Sequence, residues 1–380
     1  MSLQLPPLSL YIHVPWCIRK CPYCDFNSHA QRGELPEQAY IECLLEDLRS
    51  ELHFAQGRTI QSIFIGGGTP SLFQADSFKR LLLGINAIIP IERDAEITLE
   101  ANPGTFEQEK FIGYKDAGIN RLSIGIQSFN NNHLQALGRI HSSDEAVRAA
   151  TLAREIFPRL NLDLMHGLPS QSETDAIADL QQAIDLDPDH LSWYQLTIEP
   201  NTEFYSKSPS LPVDETLWGI QEQGQQLLAD HLLAQYEISA YAKGEQFKSR
   251  HNLNYWSFGD YIGIGAGAHG KITLPDEDRI IRRWKQKQPK AYMQSTTRLT
   301  GDQPITREER AFEFMMNALR LYHGVPVELF AERTGLPLTD VSALLDNARG
   351  KGLLEKGTDR LAPTQHGRLF LNDLLSLFLH

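Results

Sequence analysis

The sequence predicts an α/β protein: a partial or full (β/α)6 TIM-like barrel followed by a smaller, mainly helical, winged-helix-like unit. Three observations predict it. Short apolar, β-rich runs alternate with amphipathic stretches, the pattern of βα units around a parallel sheet. Polar or glycine-rich residues close nearly every run, where barrel enzymes build their sites, whereas an open doubly wound sheet would gather them at one switch point. The pattern then changes after about residue 235.

In chain order the runs are Leu8–Val14, Ser62–Ile65, Glu96–Ala101, Arg121–Gln127, Asn161–Met165 and His190–Thr197. Helical stretches follow at Ala39–Phe54, Ser77–Ile89, Glu107–Ala117, Ser143–Ile156 and Thr174–Leu186. Tyr236–Tyr241 reads as one more strand. His251–Lys271, rich in glycine and aromatics, reads as irregular. Helices are expected over Arg307–Tyr322, Pro326–Thr334 and Leu338–Lys351, a hairpin-like stretch over Leu353–Leu361, and a last helix near Gly367–Phe378. The expected organisation is a core barrel over 1–240, a barrel-closing segment over 241–300 and the C-terminal unit over 301–380.

Composition narrows the function. With 380 residues, 41% hydrophobic and 22% charged, the chain can bury a large core and a smaller one. The net charge of −12 argues against a nonspecific polyanion binder, which needs a cationic face. The winged-helix-like unit carries nine Lys/Arg against eleven Asp/Glu over 301–380, so docking or a lid fits it better than DNA binding. The basic stretch Arg279–Lys287 reads as a solvated amphipathic segment. Met1–Leu10 lacks a basic n-region and an apolar h-region, and no run of about 18 apolar residues occurs, so the cytoplasm is the expected location.

Three of the four cysteines lie together after the first run, in Cys17-Ile-Arg-Lys-Cys21-Pro-Tyr-Cys24. A disulfide framework would not crowd three cysteines and leave one over. Soft thiolates at this spacing suit an iron–sulfur cluster, and three of them leave one iron of a [4Fe–4S] cluster open to an outside chelator. Structural zinc on the three cysteines plus His13 or His29 is the alternative, though zinc ligands more often come as two spaced pairs. Cys43 shares an apolar helical stripe with Tyr40, Leu44 and Leu48 and reads as an inert buried thiol.

The other run ends carry Gly66-Gly-Gly-Thr-Pro-Ser71, Glu100-Ala-Asn-Pro-Gly104, Gln127-Ser-Phe129 with Leu137-Gly-Arg139-Ile-His141, and Asn161-Leu-Asp163-Leu-Met-His166. Consecutive glycines let backbone approach a ligand. A carboxylate closing an apolar strand needs a buried partner.

This order of motifs resembles the radical S-adenosylmethionine superfamily, over nearly the whole chain from Leu8 onward. The resemblance implies that the cofactor's methionine group chelates the open iron, and that one electron can release a 5′-deoxyadenosyl radical. It implies that Gly67, Gly68 and Thr69 meet the methionine amino group. It also implies that Tyr11, Tyr23, Glu100, Gln127, Arg139 and Asp163 contact the cofactor. Within the superfamily the chain resembles the group around oxygen-independent coproporphyrinogen III oxidase. Only sixteen residues precede Cys17, and Phe26 stands where the oxidases carry a further cysteine, so oxidase activity is not expected. His251-Asn-Leu-Asn-Tyr255-Trp256 matches a pattern of the haem-chaperone branch. That branch implies a carrier that binds haem and hands it to respiratory haem proteins, with the cluster as regulator. His251 would ligate the iron, Tyr255 and Trp256 would pack on the porphyrin, and Lys248 and Arg250 would meet the propionates. His269 is a second candidate. An electron donor, acceptor proteins at the membrane and a homodimer are the other partners this reading expects.

Overall fold

The computed structural model describes residues 2–105 and 108–379. Glu107, the expected start of one helix, lies outside them. Six parallel strands form its centre: β1 (Leu8–Val14), β2 (Ile60–Gly67), β3 (Ile91–Ala101), β4 (Arg121–Gln127), β5 (Leu160–His166) and β6 (His190–Gln195). Each carries the period-two alternation that a curved sheet between helices and an interior demands. Leu10, Ile63, Leu99, Ile124, Leu162 and Leu191 are buried on the outer, helix-packed side. Ser9, Ser62, Thr98, Ser123, Asn161 and Ser192 are each out of phase with them, and all but Thr98 are bonded to a neighbour of the set. Ser9 Oγ pairs with Ser62 Oγ at 2.7 Å, and Asn161 Nδ2 donates to Ser123 Oγ at 2.7 Å.

The layer of helices over the outer face includes α1 (Glu37–Glu51), α2 (Ala75–Ile88), α3 (Gln108–Asp116), α4 (Ser143–Ile156), α5 (Glu173–Asp185) and α6 (Asp214–Asp230). Ser142 and Ser172 start α4 and α5 with reciprocal capping boxes to Glu145 and Asp175. The stretch expected as one strand at Tyr236–Tyr241 is a hairpin, β7 (Ala234–Glu237) and β8 (Ala240–Ala242), antiparallel to β6 at one edge.

The segment expected to be irregular is ordered. It forms α7 (Arg250–Trp256), then β9 (Asp260–Ile264) and the start of β10 (His269–Leu274). The misleading signal was glycine. A Cβ on Gly263 would fall 1.9 Å from the His269 carbonyl, so this glycine permits close strand approach and does not mark a loop. β9 pairs in parallel with β1, from Leu8↔Asp260 to Ile12↔Ile264. β11 (Arg279–Lys285) and β12 (Leu299–Ile305) extend this edge antiparallel. The sheet therefore runs β12-β11-β10-β9-β1-β2-β3-β4-β5-β6-β8-β7, twelve strands whose two ends do not pair: a partial barrel.

The basic stretch is not a solvated face. Lys285 is 2% exposed and bonds Asp47 at 2.6 Å and Glu51 at 2.7 Å, while Arg283 joins Glu51 and Asp302 and Arg282 joins Glu313. These pairs tie the strand extension to α1 and to α8 (Arg310–Ala318).

A second core packs around Phe258, Phe314, Phe330, Leu345 and Phe378. It joins α8 to α9 (Glu328–Thr334), α10 (Ser342–Gly350) and, beyond α11 (Gln365–Leu369), to α12 (Leu371–Ser376). The hairpin-like stretch contributes Arg360–Leu361, which pairs with Val325–Pro326 and not with its own first half. A lone bridge, Leu354↔Pro363, closes its base. The last helix is broken at Phe370. Among the described residues no helix is long and apolar enough to cross a membrane.

Candidate cofactor site and an adjoining cavity

The loop after β1 carries the three cysteines and is stitched shut at its base. Pro15 accepts from the His29 amide at 2.7 Å and Cys17 from the Gln31 amide at 2.8 Å. At the loop's tip Pro22 accepts from the Phe204 amide at 3.0 Å. A Cβ on Gly138 would lie 2.7 Å from the Pro22 ring, so that glycine admits the tip. Cys17, Cys21 and Cys24 are free, half-buried thiols facing one cavity of about 300 Å³ at the C-terminal ends of the strands. Burial pushes the Cys17 and Cys24 thiols up, so a cluster held there would have to displace their protons. Cys43 packs in the barrel core.

The same cavity is lined by Tyr23, Gly67, Gly68, Thr69, Glu100, Gln127, Arg139 and Asp163. Gly67 has φ +111°, and a Cβ there would strike the His13 ring at 2.4 Å; one on Gly68 would meet the Trp16 carbonyl at 2.5 Å. Only glycine fits this pair. The Gly67 amide donates to Glu100 at 3.0 Å. Burial, then the charge of Asp163, push the Glu100 carboxyl up to about 7, against the pull of that amide. Burial also raises Asp163, which accepts from Ser123 at 2.9 Å and Asn161 at 2.8 Å. Gln127 ends β4 at φ +71°, a left-handed strain of the kind that collects at functional sites, and accepts from the Tyr194 hydroxyl at 2.9 Å. One chain of bonds crosses the cavity floor. Asn102 donates to Thr69 at 2.9 Å, Arg139 donates to Asn102 at 2.7 Å and to the Gly125 carbonyl at 2.8 Å, and Arg139 reaches Cys21 Sγ at 3.8 Å.

Asn102 and Tyr194 were missed in the sequence. Asn102 stands two residues after Glu100, and Tyr194 shares the inward phase of Ser192 on β6, so strand periodicity was the available signal.

The donor set fits a cluster better than a zinc ion. Among the described residues no three His, Cys, Asp or Glu side chains converge on a single-ion position. A cubane binds each thiolate to a different iron and needs no such convergence. His13 and His29 do not line the cysteine cavity. His13 is bonded to Tyr11 and to the Asn27 carbonyl, each at 2.9 Å, and His29 to the Asn27 side chain at 3.2 Å.

Tyr11, expected at the cofactor, faces a second and wider cavity of about 730 Å³. Gly67, Glu100, Phe26 and Ser28 line both cavities and form their common wall. His251, Tyr255 and His269 line the second one. α7 enters from below with its first amides on a buried carboxylate: Arg250 N–H donates to Glu96 at 2.9 Å. His251 stacks on Phe64 at 5.0 Å, and its Nδ1 is buried with no hydrogen-bond partner. Burial, then Arg121, lower its pKa to about 4, so the imidazole is neutral at ordinary pH, the form that ligates metals.

Trp256 is not brought to either cavity. It packs against the second core, with Arg320 4.4 Å over its ring. Lys248 and Arg250 are engaged elsewhere, Lys248 with Glu245 and Arg250 with Asp94 at 2.9 Å. His269 opens β10 and stacks on Trp284 at 6.3 Å.

Comparison with known proteins agrees with this layout. The description of the radical SAM superfamily matches residues 11–183, and that of the HemN C-terminal domain matches 305–370. The solved structure of coproporphyrinogen III oxidase (HemN) from Escherichia coli superposes with a TM-score of 0.83 over 98% of this chain and 90% of that one; at 23% identity it shows the fold. The heme chaperone HemW of Escherichia coli (strain K12) is 54% identical over 99% of both chains, and that of Haemophilus influenzae is 53% identical over the same share. The chain therefore belongs to the HemW family, within the radical SAM superfamily.

Proposed function

We propose that this chain is a haem chaperone: it binds haem in the wide cavity with His251 as axial ligand and passes it to acceptor haem proteins. In this reading Cys17, Cys21 and Cys24 hold a [4Fe–4S] cluster and the glycine–Glu100–Arg139–Asp163 cradle holds S-adenosylmethionine. One observation carries it. A neutral imidazole with a buried, unpartnered nitrogen stands on the wall of an aromatic cavity large enough for a planar macrocycle. The names of the close relatives support the same reading. When bound, the cluster and cofactor supply one-electron cleavage of a sulfonium carbon–sulfur bond. The chain's own part is to orient and enclose. Arg139 offers its fork to a carboxylate, Glu100 to an ammonium or ribose hydroxyl, and Tyr23 closes one side with Phe204 at 6.4 Å. The cysteine loop would also receive an electron donor. A homodimer, and acceptors at the membrane, belong to the same proposal.

The test is haem titration of wild type and His251→Ala. A lost or shifted Soret band in the variant supports the ligand; equal affinity with an unchanged spectrum removes it.

The common wall favours one rival, oxidative decarboxylation of coproporphyrinogen III, because a porphyrin in the wide cavity would stand beside the cofactor. The exposed Phe26 on that wall speaks against it, since the oxidases resembled here carry a cysteine at this place. Product analysis under anaerobic reducing conditions decides: protoporphyrinogen formation would establish the rival.

A further inference from the structure

The residues expected to meet the haem propionates are spent on Glu245 and Asp94, which leaves the carboxylates of a bound haem without a cation on the α7 side. Two other cations line the wide cavity: Lys20, from the cysteine loop, and Lys287, just past β11. Among the described residues neither is in an ion pair. Both residues are exposed.

The turn at Phe26–Asn27 touches both: Asn27 braces the Lys287 backbone and the Phe26 carbonyl accepts from Lys20. The Asn27 side-chain amide donates to the Lys287 carbonyl at 2.8 Å and to the Ala266 carbonyl at 2.8 Å, and Lys20 Nζ donates to the adjacent Phe26 carbonyl at 3.3 Å. A Cβ on Gly267 would fall 2.3 Å from the Asn27 amide nitrogen, so glycine there permits the brace. The charges of Lys20 and Lys287 act on His29 and His269 respectively, and on no resolved shift of His251. Lys20 and Lys287 thus stand on elements other than α7, which carries His251. Asp25 is the one acid at the rim, and Glu100 lies deep at the common wall.

We infer that Lys20 and Lys287 form a carboxylate-binding lip that takes the two propionates of haem, away from His251. This rests on the haem reading above. A porphyrin carries its propionates on one edge, remote from the iron, and two ammonium groups at one lip match that edge. The lip also fixes which way round the macrocycle enters and selects for a free dicarboxylate.

The experiment compares haem with haem dimethyl ester, whose carboxylates are neutral, on cluster-loaded wild type and on Lys20→Ala/Lys287→Ala. Wild type is expected to prefer haem by about tenfold, and the variant by less than about threefold, with the His251-dependent Soret band kept. The preference is a ratio within one protein, so a change in cluster loading does not mimic it. A His251-dependent haem complex with no discrimination in wild type, or with full discrimination in the variant, overturns the lip alone. No haem complex in wild type overturns the haem reading with it.

Discussion

The two cavities share a wall and use their polar groups in opposite ways. In the cysteine cavity Thr69, Asn102, Arg139 and Cys21 already form one bonded chain, Gln127 and Asp163 have partners, and Gly67 and Gly68 fix the backbone where no other residue fits. In the wide cavity, among the described residues, the His251 Nδ1 lacks a partner and Lys20 and Lys287 have no ion pair. Preorganisation lowers the ordering cost of a ligand that is meant to stay. Cations outside any ion pair suit a ligand that must leave. On the function proposed above, the first arrangement suits a resident cofactor and the second a cargo.

The strongest way to break that comparison is Cys21→Ala. Iron and the broad visible absorption of the cluster should vanish, while haem affinity changes by less than about threefold. Equal loss of both would make the cavities one unit. Next is Glu100. Its folded pKa lies above its unfolded one, so the unfolded chain loses the proton first. Stability falls as pH rises from about 4.5 to about 7, by about 3 kcal/mol at most. Glu100→Gln should flatten this slope in thermal unfolding of ligand-free protein; an unchanged slope would reassign it. Gly67→Ala should weaken S-adenosylmethionine binding by about tenfold or more, from the 1–2 kcal/mol cost of a left-handed alanine plus the clash with His13. Isothermal titration reads this; an unchanged affinity would remove Gly67 from the cofactor cradle. The smallest effect is Trp256→Phe, which should cost about 0.5–1 kcal/mol of stability through the Arg320 contact and leave the Soret band in place. Collapse of haem affinity would return Trp256 to the porphyrin.

Much of the cofactor cavity was legible because it sits on strand ends, where period two assigns every side chain a face. Ser123, Asp163 and Tyr194 follow from that period once β4, β5 and β6 are placed. The wide cavity was not, because it is assembled from the turn at Phe26–His29, the 200–201 loop, α7 and the segment 261–287, which no local pattern links. Trp256 was misjudged for a simpler reason. It stands five residues after His251, about 140° round a helix of 3.6 residues per turn, whereas Tyr255 at four residues shares the histidine's side. The glycines at 263 and 267 helped the segment read as irregular, whereas they mark close contact between backbone and its neighbours.

That helix has a consequence for how the two halves of the molecule inform each other. α7 presents His251 and Tyr255 to the wide cavity, while Leu253 and Trp256 are built into the C-terminal core and Tyr322 is hydrogen-bonded to Tyr236 at the sheet edge beside it. Seven residues thus belong to two compartments at once, so neither can shift alone. On the function proposed above, the colour of bound haem would be a gauge of what happens on the far side of the protein. Anything that grips the C-terminal helices firmly enough to turn α7 would then be written into the spectrum of the iron.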